Sequence, residues 1–223
     1  MTLTIILADC GLEIIPKQIR NNRAIRRNLS EKNFSSQLLD NALHHSAMKN
    51  LNNFEKRGRP DITHVCLLNA LGSSLNKHGN LRLYVHTIHN KIFKVNSEVR
   101  IARNYNRFKG LIAKLLLEGE IKTKDSTLIS RVEGSLKNLI NTFDNAEICL
   151  FSHKGKLVKN YQDLFTNSIK NYVAIIGGFQ KSSFSSSIRR LSNKLISISD
   201  FPLDAWIVVS KIITYYELIH QLI

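Results

Sequence analysis

Three short and almost uninterrupted runs of apolar residues mark the second half of the chain, at 147–151, 171–176 and 194–199. Patterns typical of amphipathic helices separate and follow them, at 161–168, 184–191 and 203–222. Strands that are apolar along their whole length are buried on both faces, and their alternation with helices is typical of a parallel sheet. A similar strand is predicted at 3–8. The sequence therefore predicts an α/β protein whose mostly parallel sheet is flanked by helices.

The first half of the chain is predicted to add helices and a small antiparallel pair. A strand at 81–87 and a second at 91–95 flank a turn at His89-Asn90, which is typical of a hairpin. Helices are predicted at 36–56, 62–71, 110–118 and 126–143. A length of 223 residues suits one sizeable core, so we expect residues 1–223 to form a single domain.

Basic residues dominate the charge of the chain. Lys and Arg number 32 against 17 Asp and Glu, which gives a formal net charge of +15. Such an excess predicts a polyanionic partner, either a nucleic acid or an anionic membrane surface. No run of 18 apolar residues and no basic amphipathic helix is found, so we expect no membrane partner. The N-terminus also lacks the basic region of a signal peptide, which favours a cytoplasmic location.

Metal chemistry has little support in the sequence. The three cysteines are scattered without a paired spacing, and we expect them to be reduced. The pairs His44-His45 and His86/His89 lack a third ligand at a suitable spacing. We expect no metal site.

Arginines are spaced as if to hold phosphate groups. Arg100, Arg103 and Arg107 would share one face if their segment were helical. Arg59 and Asp61 flank Pro60, and Asp61 is the acidic exception among these cations. Guanidinium groups bind phosphate oxygens in pairs of hydrogen bonds. Two readings of Asp61 stay open from the residues alone, a functional carboxylate and a simple N-cap for the helix that follows.

A further basic segment extends from about residue 17 to residue 35. It carries several arginines and lysines with few apolar residues, and it is predicted to be a mobile segment. Two interpretations remain open for it, a solvated loop and a nucleic-acid contact.

Two strand ends in the second half predict a ligand pocket. Ligands of open parallel sheets bind beyond the carboxyl ends of the strands. One such end carries Gly177-Gly178, where the backbone can approach a ligand closely, although a tight turn without a ligand would also explain the pair. The other end, at 195–200, leads into Phe201-Pro202. The chain has neither a GxGxxG fingerprint nor a P-loop motif, so an ordinary dinucleotide or nucleoside triphosphate site is not supported.

These motifs together resemble the Nep/Emg family of ribosome-biogenesis proteins. The resemblance is carried, in order along nearly the whole chain, by residues 58–69, 75–76, 84–87, 95–96, 100–105, 176–179 and 204–211. The segment Gly58-Arg59-Pro60-Asp61-Ile62 resembles the family signature. The start, at residues 5–8 and 12–16, is similar to the archaeal members.

The resemblance implies a SPOUT-class methyltransferase with a deep trefoil knot at about 146–223 that holds S-adenosyl-L-methionine. It also implies a family-specific hairpin and helix extension at about 80–107. Members act as homodimers in ribosome biogenesis, on pre-ribosomal particles, and methylate N1 of a pseudouridine in a hairpin loop of small-subunit rRNA.

Site residues follow from the resemblance position by position. It implies that Arg59 and Asp61 act in catalysis, with Asp61 orienting the base or accepting its proton. The positions implied to contact RNA are Arg59, Asp61, Arg100, Arg103 and Arg107. The positions implied to bind the cofactor are Ile176, Gly177, Ser182, Leu195, Ile196, Ser197, Ile198, Ser199 and Asp200.

One departure from the family pattern keeps a second function open. The family usually has Pro-His-Gly after Gly-Gly-Phe, whereas this chain has Gln180-Lys181-Ser182. The alternative is a non-catalytic rRNA-binding assembly factor that keeps the SPOUT fold.

Overall fold

Eight strands form a single sheet in the computed structural model, which describes residues 2–28, 37–167 and 169–222. The strands are β1 Leu3–Cys10, β2 Leu81–Thr87, β3 Ile92–Val95, β4 Glu120–Lys122, β5 Thr127–Val132, β6 Ala146–Leu157, β7 Asn171–Gly177 and β8 Leu195–Ser197. The α-helices are α1 Arg23–Arg27, α2 Asn41–Met48, α3 Pro60–Gly72, α4 Ser74–Lys77, α5 Tyr105–Glu118, α6 Leu136–Ile140, α7 Ser186–Arg189 and α8 Ala205–Ile219. Short 3₁₀ helices occur at Lys17–Ile19, Phe54–Lys56 and Tyr161–Asp163.

The predicted α/β architecture with a mostly parallel sheet is confirmed. The strand order is β4-β5-β3-β2-β1-β7-β6-β8, and the five strands from β2 to β8 run parallel. β1 lies at the centre, where Ile5 pairs with Leu83 on one side and Ala174 on the other. β3 pairs antiparallel with β2 on one side and with β5 on the other, and β5 pairs antiparallel with β4. The hairpin predicted from 81–87 and 91–95 is therefore present, and its first strand lies inside the parallel sheet.

Helices cover both faces of the sheet. Along β1, Leu3, Ile5 and Leu7 pack with α3, α5 and α8 in the larger core, whereas Ile6 and Ala8 face a smaller core formed with α6 and α7. Successive side chains of a strand point to opposite faces, so a strand apolar at every position fits only between two layers. This is why the continuous apolar runs predicted the fold class.

A third and separate core lies between α1 and α2. Its buried residues include Ile25, Leu39 and Met48. Asp40, the N-cap of α2, links this unit to α5, because its carboxylate accepts hydrogen bonds from Tyr105 and Lys109. The basic segment predicted at 17–35 includes α1. Residues 29–35 of it lie outside the described residues, and the predicted mobility stays a prediction.

Three local predictions are wrong or incomplete. The helix predicted at 126–143 is instead strand β5 followed by the short α6. Ile129 of β5 is buried in the core, and Gly134, with φ of +92°, lies in the turn between the strand and the helix. Of the helix predicted at 161–168, only Tyr161–Asp163 forms, since Phe165 has a positive φ of 53°; residue 168 is outside the described part. The helix predicted at 36–56 is reduced to α2 and the turn Phe54–Lys56, with residue 36 outside the described part.

β6 bends around β8. Ile196 of β8 pairs with Phe151 and also with Lys156, so residues 152–155 leave the ladder between those two pairings. A side chain at Gly155 would meet the backbone nitrogen of Ile196 at 2.5 Å, which leaves room only for glycine. The excursion at 152–155 opens a space at the carboxyl edge of the sheet.

Candidate functional site

A cleft of about 820 Å³ lies at the carboxyl ends of β6, β7 and β8. Three segments surround it: the excursion in β6, the loop after β7 and the loop between β8 and α8. Its lining comprises Glu55, residues 151–154, 176–177 and 179–184, residues 196–199 and 201–205, and Val208. The volume falls within the range typical of sites for small molecules and cofactors. The pocket predicted from the two strand ends is therefore present.

The loop after β7, residues 178–184, offers open main-chain donors to the cleft. Backbone N–H groups of residues 179–184 donate to no acceptor in the described part of the chain, whereas Gly178 N donates to the carbonyl of Ala8 at 2.7 Å. Phe179 and Phe184 from the same loop pack edge to face and form an apolar part of the wall. A site of this kind can bind a ligand by main-chain groups while apolar side chains cover it.

Most of the predicted cofactor positions meet in this cleft. The ones that line it are Ile176, Gly177, Ser182, Ile196, Ser197, Ile198 and Ser199. Leu195 and Asp200 do not line it: Leu195 packs against the smaller core, and Asp200 is exposed beyond the strand end.

Several cleft residues were missed from the sequence. Ser152, His153 and Lys154 line the cleft from the β6 excursion, and Lys154 Nζ donates to Ser183 Oγ across it at 2.8 Å. A signal for them existed, because the rule that places ligands at strand carboxyl ends also applies to the run at 147–151. No comparable signal marks Glu55, which belongs to a distant 3₁₀ turn.

Arg59 and Asp61 lie beside the cleft because α3 and α8 run parallel. Asn69 of α3 donates to Ser210 of α8 at 3.0 Å, and about two turns further along α8 Glu217 accepts from the N–H of Leu75, in α4, at 2.7 Å. Both helices therefore begin at the same edge of the sheet. At that edge Arg59 is close enough to Asp204, a cleft residue, for the aspartate to raise its pKa.

The pair at the start of α3 is bidentate. Arg59 Nε donates to Asp61 Oδ1 at 2.8 Å, and Nη2 donates to Oδ2 at 2.7 Å. These hydrogen bonds are the main cause of the raised pKa of Arg59. The side chain of Asp61 remains 41% exposed. The N-cap reading of Asp61 is wrong, because Arg59 occupies the N-cap, Pro60 starts the helix, and Asp61 lies within its first turn.

The three predicted RNA-contacting arginines do not share a helical face. Helix α5 starts at Tyr105, capped by Asn104, whose side chain accepts from the N–H of Arg107 at 3.0 Å. Arg100 and Arg103 precede that cap in an irregular segment, so only Arg107 is helical.

These arginines nonetheless lie close to Asp61. His64 of α3 donates to the carbonyl of Ala102 at 2.7 Å and stacks on Phe108 with 4.3 Å between ring centroids. Tyr105 is close enough to the Asp61 carboxylate for that charge to contribute to its raised pKa, for which burial is the largest cause. The side chains of Arg100, Arg103 and Arg107 are exposed and make no hydrogen bond or ion pair within the described residues. Exposed guanidinium groups without internal partners can bind an anionic ligand without first breaking internal contacts.

Within residues 2–28, 37–167 and 169–222, no three acidic, histidine or cysteine side chains are grouped to hold a metal ion. No helix in that part of the chain is both long and apolar enough to cross a bilayer. Burial raises the pKa of the Cys10 thiol to about 12, so this cysteine, next to Gly178, stays protonated.

Comparison with known proteins gives consistent results. A family model described as EMG1/NEP1 methyltransferase matches residues 5–217. A protein of Staphylothermus marinus named "Ribosomal RNA small subunit methyltransferase Nep1" is 38% identical over 225 residues, which cover 99% of this chain and 97% of that protein. A protein of the same name from Saccharolobus solfataricus is 39% identical over 215 residues, 95% of each chain.

A solved structure shares the fold. The crystal structure of Archaeoglobus fulgidus Nep1 bound to S-adenosylhomocysteine has a TM-score of 0.88 and 34% sequence identity to this chain. The match covers 99% of this chain and 100% of that one.

Proposed function

Since the chain belongs to the EMG1/NEP1 methyltransferase family, we propose that it methylates small-subunit ribosomal RNA with S-adenosyl-L-methionine as methyl donor. One observation carries this proposal: the cleft at the carboxyl edge of the sheet lies beside the Arg59–Asp61 pair, and the segment that carries the exposed arginines 100, 103 and 107 packs against the same helix α3. A donor pocket and a polyanion-binding surface are thus next to each other. The formal charge of +15 suits an RNA partner.

The residues of the cleft fit the cofactor. Its volume of about 820 Å³ accommodates a nucleoside joined to an amino acid. The open N–H groups of residues 179–184 can hold polar edges of the nucleoside, and Phe179, Ile198 and Leu203 offer apolar contact. When bound, the sulfonium supplies an electrophilic methyl group. The residues we propose for binding are Ile176, Gly177, Ser182 and 195–200, although Leu195 and Asp200 would act from outside the lining.

The finer target of the proposal is N1 of a pseudouridine in an rRNA hairpin loop. Pseudouridine carries a free N1–H that uridine lacks, so an acceptor placed at that atom can distinguish the two. Methyl transfer to this nitrogen requires in-line placement of the acceptor and loss of one proton. A base inside a helix would not reach the cleft, so the nucleotide must be extruded or already unpaired.

Asp61 is the acceptor best placed for this base. Both of its oxygens accept from Arg59, and its exposed part leaves room for one further hydrogen bond, from N1–H. In this proposal Asp61 orients the base through that hydrogen bond, and as the methyl group is transferred the N1 proton leaves to Asp61 or to solvent. Arg59 then acts as the residue that fixes the carboxylate.

Arg100, Arg103 and Arg107 hold the RNA backbone in this proposal. They are exposed around the α3–α5 contact, within a short distance of Asp61 along the surface. Single-stranded loops are the usual targets of sequence-specific RNA recognition, and guanidinium groups bind both their phosphates and their unstacked bases. The substrate would be the rRNA within a pre-ribosomal particle, in the cytoplasm.

The trefoil knot belongs to the proposal as well. The pairing of Ile196 with both Phe151 and Lys156, and the close approach of Gly155 to the Ile196 backbone, support a chain that passes β8 through the bend in β6.

We also propose that the protein acts as a homodimer through the exposed apolar side of α8 and the loop before it. Phe201 is 74% exposed, Ile207 39% and Leu218 44%. Ile207 and Leu218 are three helical turns apart and lie on one face. A second copy of the chain would cover this face, next to the cleft.

Binding of S-adenosylhomocysteine, measured by calorimetry, tests the proposed function first. A single saturable site is expected. Lack of binding, together with retained affinity for an rRNA hairpin, would instead favour the non-catalytic assembly factor.

A further inference from the structure

A buried carboxylate lies beneath the loop after β7 and plays no part in the mechanism above. Asp9 is at the carboxyl end of β1 and is 4% exposed. Its φ of +53° is unusual for a residue other than glycine, and the pairing of β1 with β2 is irregular between Leu7 and Cys10. The chain therefore turns at Asp9, at a conformational cost, in a way that places its side chain next to the cleft wall.

Asp9 binds the far end of the loop after β7, residues 178–185, which is called the cofactor loop below. Its Oδ2 accepts a hydrogen bond from the backbone N–H of Ser185 at 2.8 Å, and its Oδ1 accepts one from Ser185 Oγ at 3.2 Å. The near end of the loop is held at the neighbouring residue, since Gly178 N donates to the carbonyl of Ala8. Two consecutive residues of β1 thus fix both ends of residues 178–185.

Lys56 contacts both the Asp9 carboxylate and Phe179, which lines the cleft. Its Nζ lies 2.8 Å from Asp9 Oδ2 and 4.9 Å from the centre of the Phe179 ring. The side chain of Lys56 is 13% exposed and that of Asp9 is 6% exposed, so the ion pair is largely shielded from solvent. Lys56 follows Glu55, which lines the cleft.

His86 fixes the backbone of Asp9. Its Nδ1 accepts from the Asp9 N–H at 3.2 Å, and its Nε2 lies 3.2 Å from the Asn90 side-chain oxygen, which requires the neutral imidazole with the proton on Nε2. Burial lowers the pKa of His86, in agreement with that neutral form. The backbone of Asp9 is therefore fixed by His86, and its carboxylate by Ser185 and Lys56.

We propose that Asp9 and Lys56 are positioning residues that order the cofactor loop, an inference that rests on the proposed function. The backbone N–H groups of residues 179–184 have no acceptor in the described part of the chain, so the loop has no ladder of its own to order it. Its shape depends on attachments at its two ends, on the hydrogen bond from Lys154 to Ser183 and on the packing of Phe179. The Asp9–Lys56 pair supplies the second end and contacts Phe179, and without it the open donors would no longer converge on one ligand.

Substitutions at Ser185 isolate the central contact. Ser185 has φ of −58° and ψ of 155°, a conformation that proline adopts. Ser185→Pro removes the N–H that donates to Asp9, whereas Ser185→Ala keeps that N–H and removes the hydroxyl contacts to Asp9 and Ser187. We expect Ser185→Pro, Asp9→Ala and Lys56→Met each to raise the Kd for S-adenosylhomocysteine about 10-fold or more, the range for loss of a charge-assisted hydrogen bond. Ser185→Ala should raise it less than threefold, about 0.6 kcal/mol at most.

A matched control comes from the next ion pair along the chain. Glu13 is also buried and accepts from Arg57 Nε at 2.7 Å, but it touches no part of the cofactor loop. Glu13→Gln should lower the melting temperature and leave the Kd for S-adenosylhomocysteine unchanged. A purely structural role for Asp9 and Lys56 would make their variants behave like Glu13→Gln.

Steady-state kinetics provide a second readout. For Lys56→Met we expect the KM for S-adenosyl-L-methionine to rise about 10-fold while kcat and the Kd for RNA stay within about twofold, since the loss is one of cofactor binding. Lys56→Arg, which keeps the charge, should recover most of the affinity.

The result that overturns this proposal is a wild-type protein that binds S-adenosylhomocysteine together with folded Lys56→Met and Ser185→Pro variants of equal affinity. If the wild-type protein itself does not bind the cofactor product, the proposed function fails, and this inference fails with it.

Discussion

Arg59 donates two hydrogen bonds to Asp61 across Pro60, with distances of 2.8 and 2.7 Å, at the point where α3 begins. Pro60 is the first residue of the helix, where its missing N–H has no cost, and its ring restricts the turn between the two side chains. The carboxylate is thus held by a planar donor while part of it stays exposed. This relationship is the basis for proposing that Asp61 binds the nucleobase that is methylated.

Asp61→Asn should lower the methylation rate of a pseudouridine hairpin about 100-fold while the Kd for RNA changes less than threefold, since the loss is one of positioning or proton handling. The amide keeps the size of the side chain but has only one oxygen for two Arg59 donors. Single-turnover methylation and fluorescence anisotropy measure the two quantities. Asp125→Asn, an exposed residue in the turn between β4 and β5, is the control. Unchanged methylation with normal RNA affinity would remove Asp61 from the mechanism.

Arg59→Lys tests the bidentate geometry separately from charge. Lysine keeps the positive charge but cannot donate two parallel hydrogen bonds to one carboxylate. We expect methylation to fall about 10-fold or more, with RNA affinity reduced only slightly. A variant as active as the wild type would show that charge alone is sufficient at this position.

Alanine in place of Arg100, Arg103 or Arg107 should weaken RNA binding and lower the slope of log K against log salt by about one for each lost phosphate contact. Because these side chains are exposed, the melting temperature should not change. Lys137→Ala provides the comparison, since Lys137 is exposed on α6, which covers the other face of the sheet. Salt slopes identical to that of the wild type in all three variants would exclude these arginines from the RNA interface.

Substitutions in the basic helix α1 test whether residues 17–35 contact nucleic acid or are only a solvated surface. Arg23, Arg26 and Arg27 are exposed on a unit whose second helix contacts α5 through Asp40. If this surface contacts RNA, the triple alanine variant should reduce the salt slope by up to about three. A slope unchanged from that of the wild type would identify the segment as a solvated surface.

Acidification should destabilise the protein as pH falls below about 6.5, the ordinary pKa of histidine. Burial lowers the pKa of both His44 and His86, so the unfolded chain binds protons that the folded protein does not. Stability from these groups is fully present above that pH and decreases below it, by up to about 1.4 kcal/mol per pH unit for each histidine.

Chemical denaturation between pH 5 and 7.5 measures this effect. His86→Gln should show a smaller loss of unfolding free energy over that range than the wild type, and exposed His45→Gln should behave like the wild type. An equal loss in the His86 variant would contradict the assignment of a buried neutral imidazole.

Periodicity and strand-end rules predicted the framework, because they depend on local pattern and on a general property of parallel sheets. Apolar runs at 147–151 and 171–176 located β6 and β7, and the strand ends at Gly177-Gly178 and 195–200 located the cleft. The spacing of Arg100, Arg103 and Arg107 suits one helical face only if the whole segment is helical, and Asn104 caps α5 after the first two.

Contacts between distant segments could not be read from pattern. Ser185 lies 176 positions from the carboxylate that holds it, and nothing local to Asp9 indicates that partner. The excursion at 152–155 depends likewise on how β6 pairs with β8, since a bulge is a property of two strands together.

The most direct test of the account compares two short RNA hairpins that differ only in one loop nucleotide, pseudouridine or uridine. The protein is incubated with each hairpin and S-adenosyl-L-methionine, and the RNA is digested and analysed by mass spectrometry. The account predicts one added methyl group on the pseudouridine, at N1, and none on the uridine hairpin. Equal methylation of both hairpins, or binding of both without methylation of either, would contradict it.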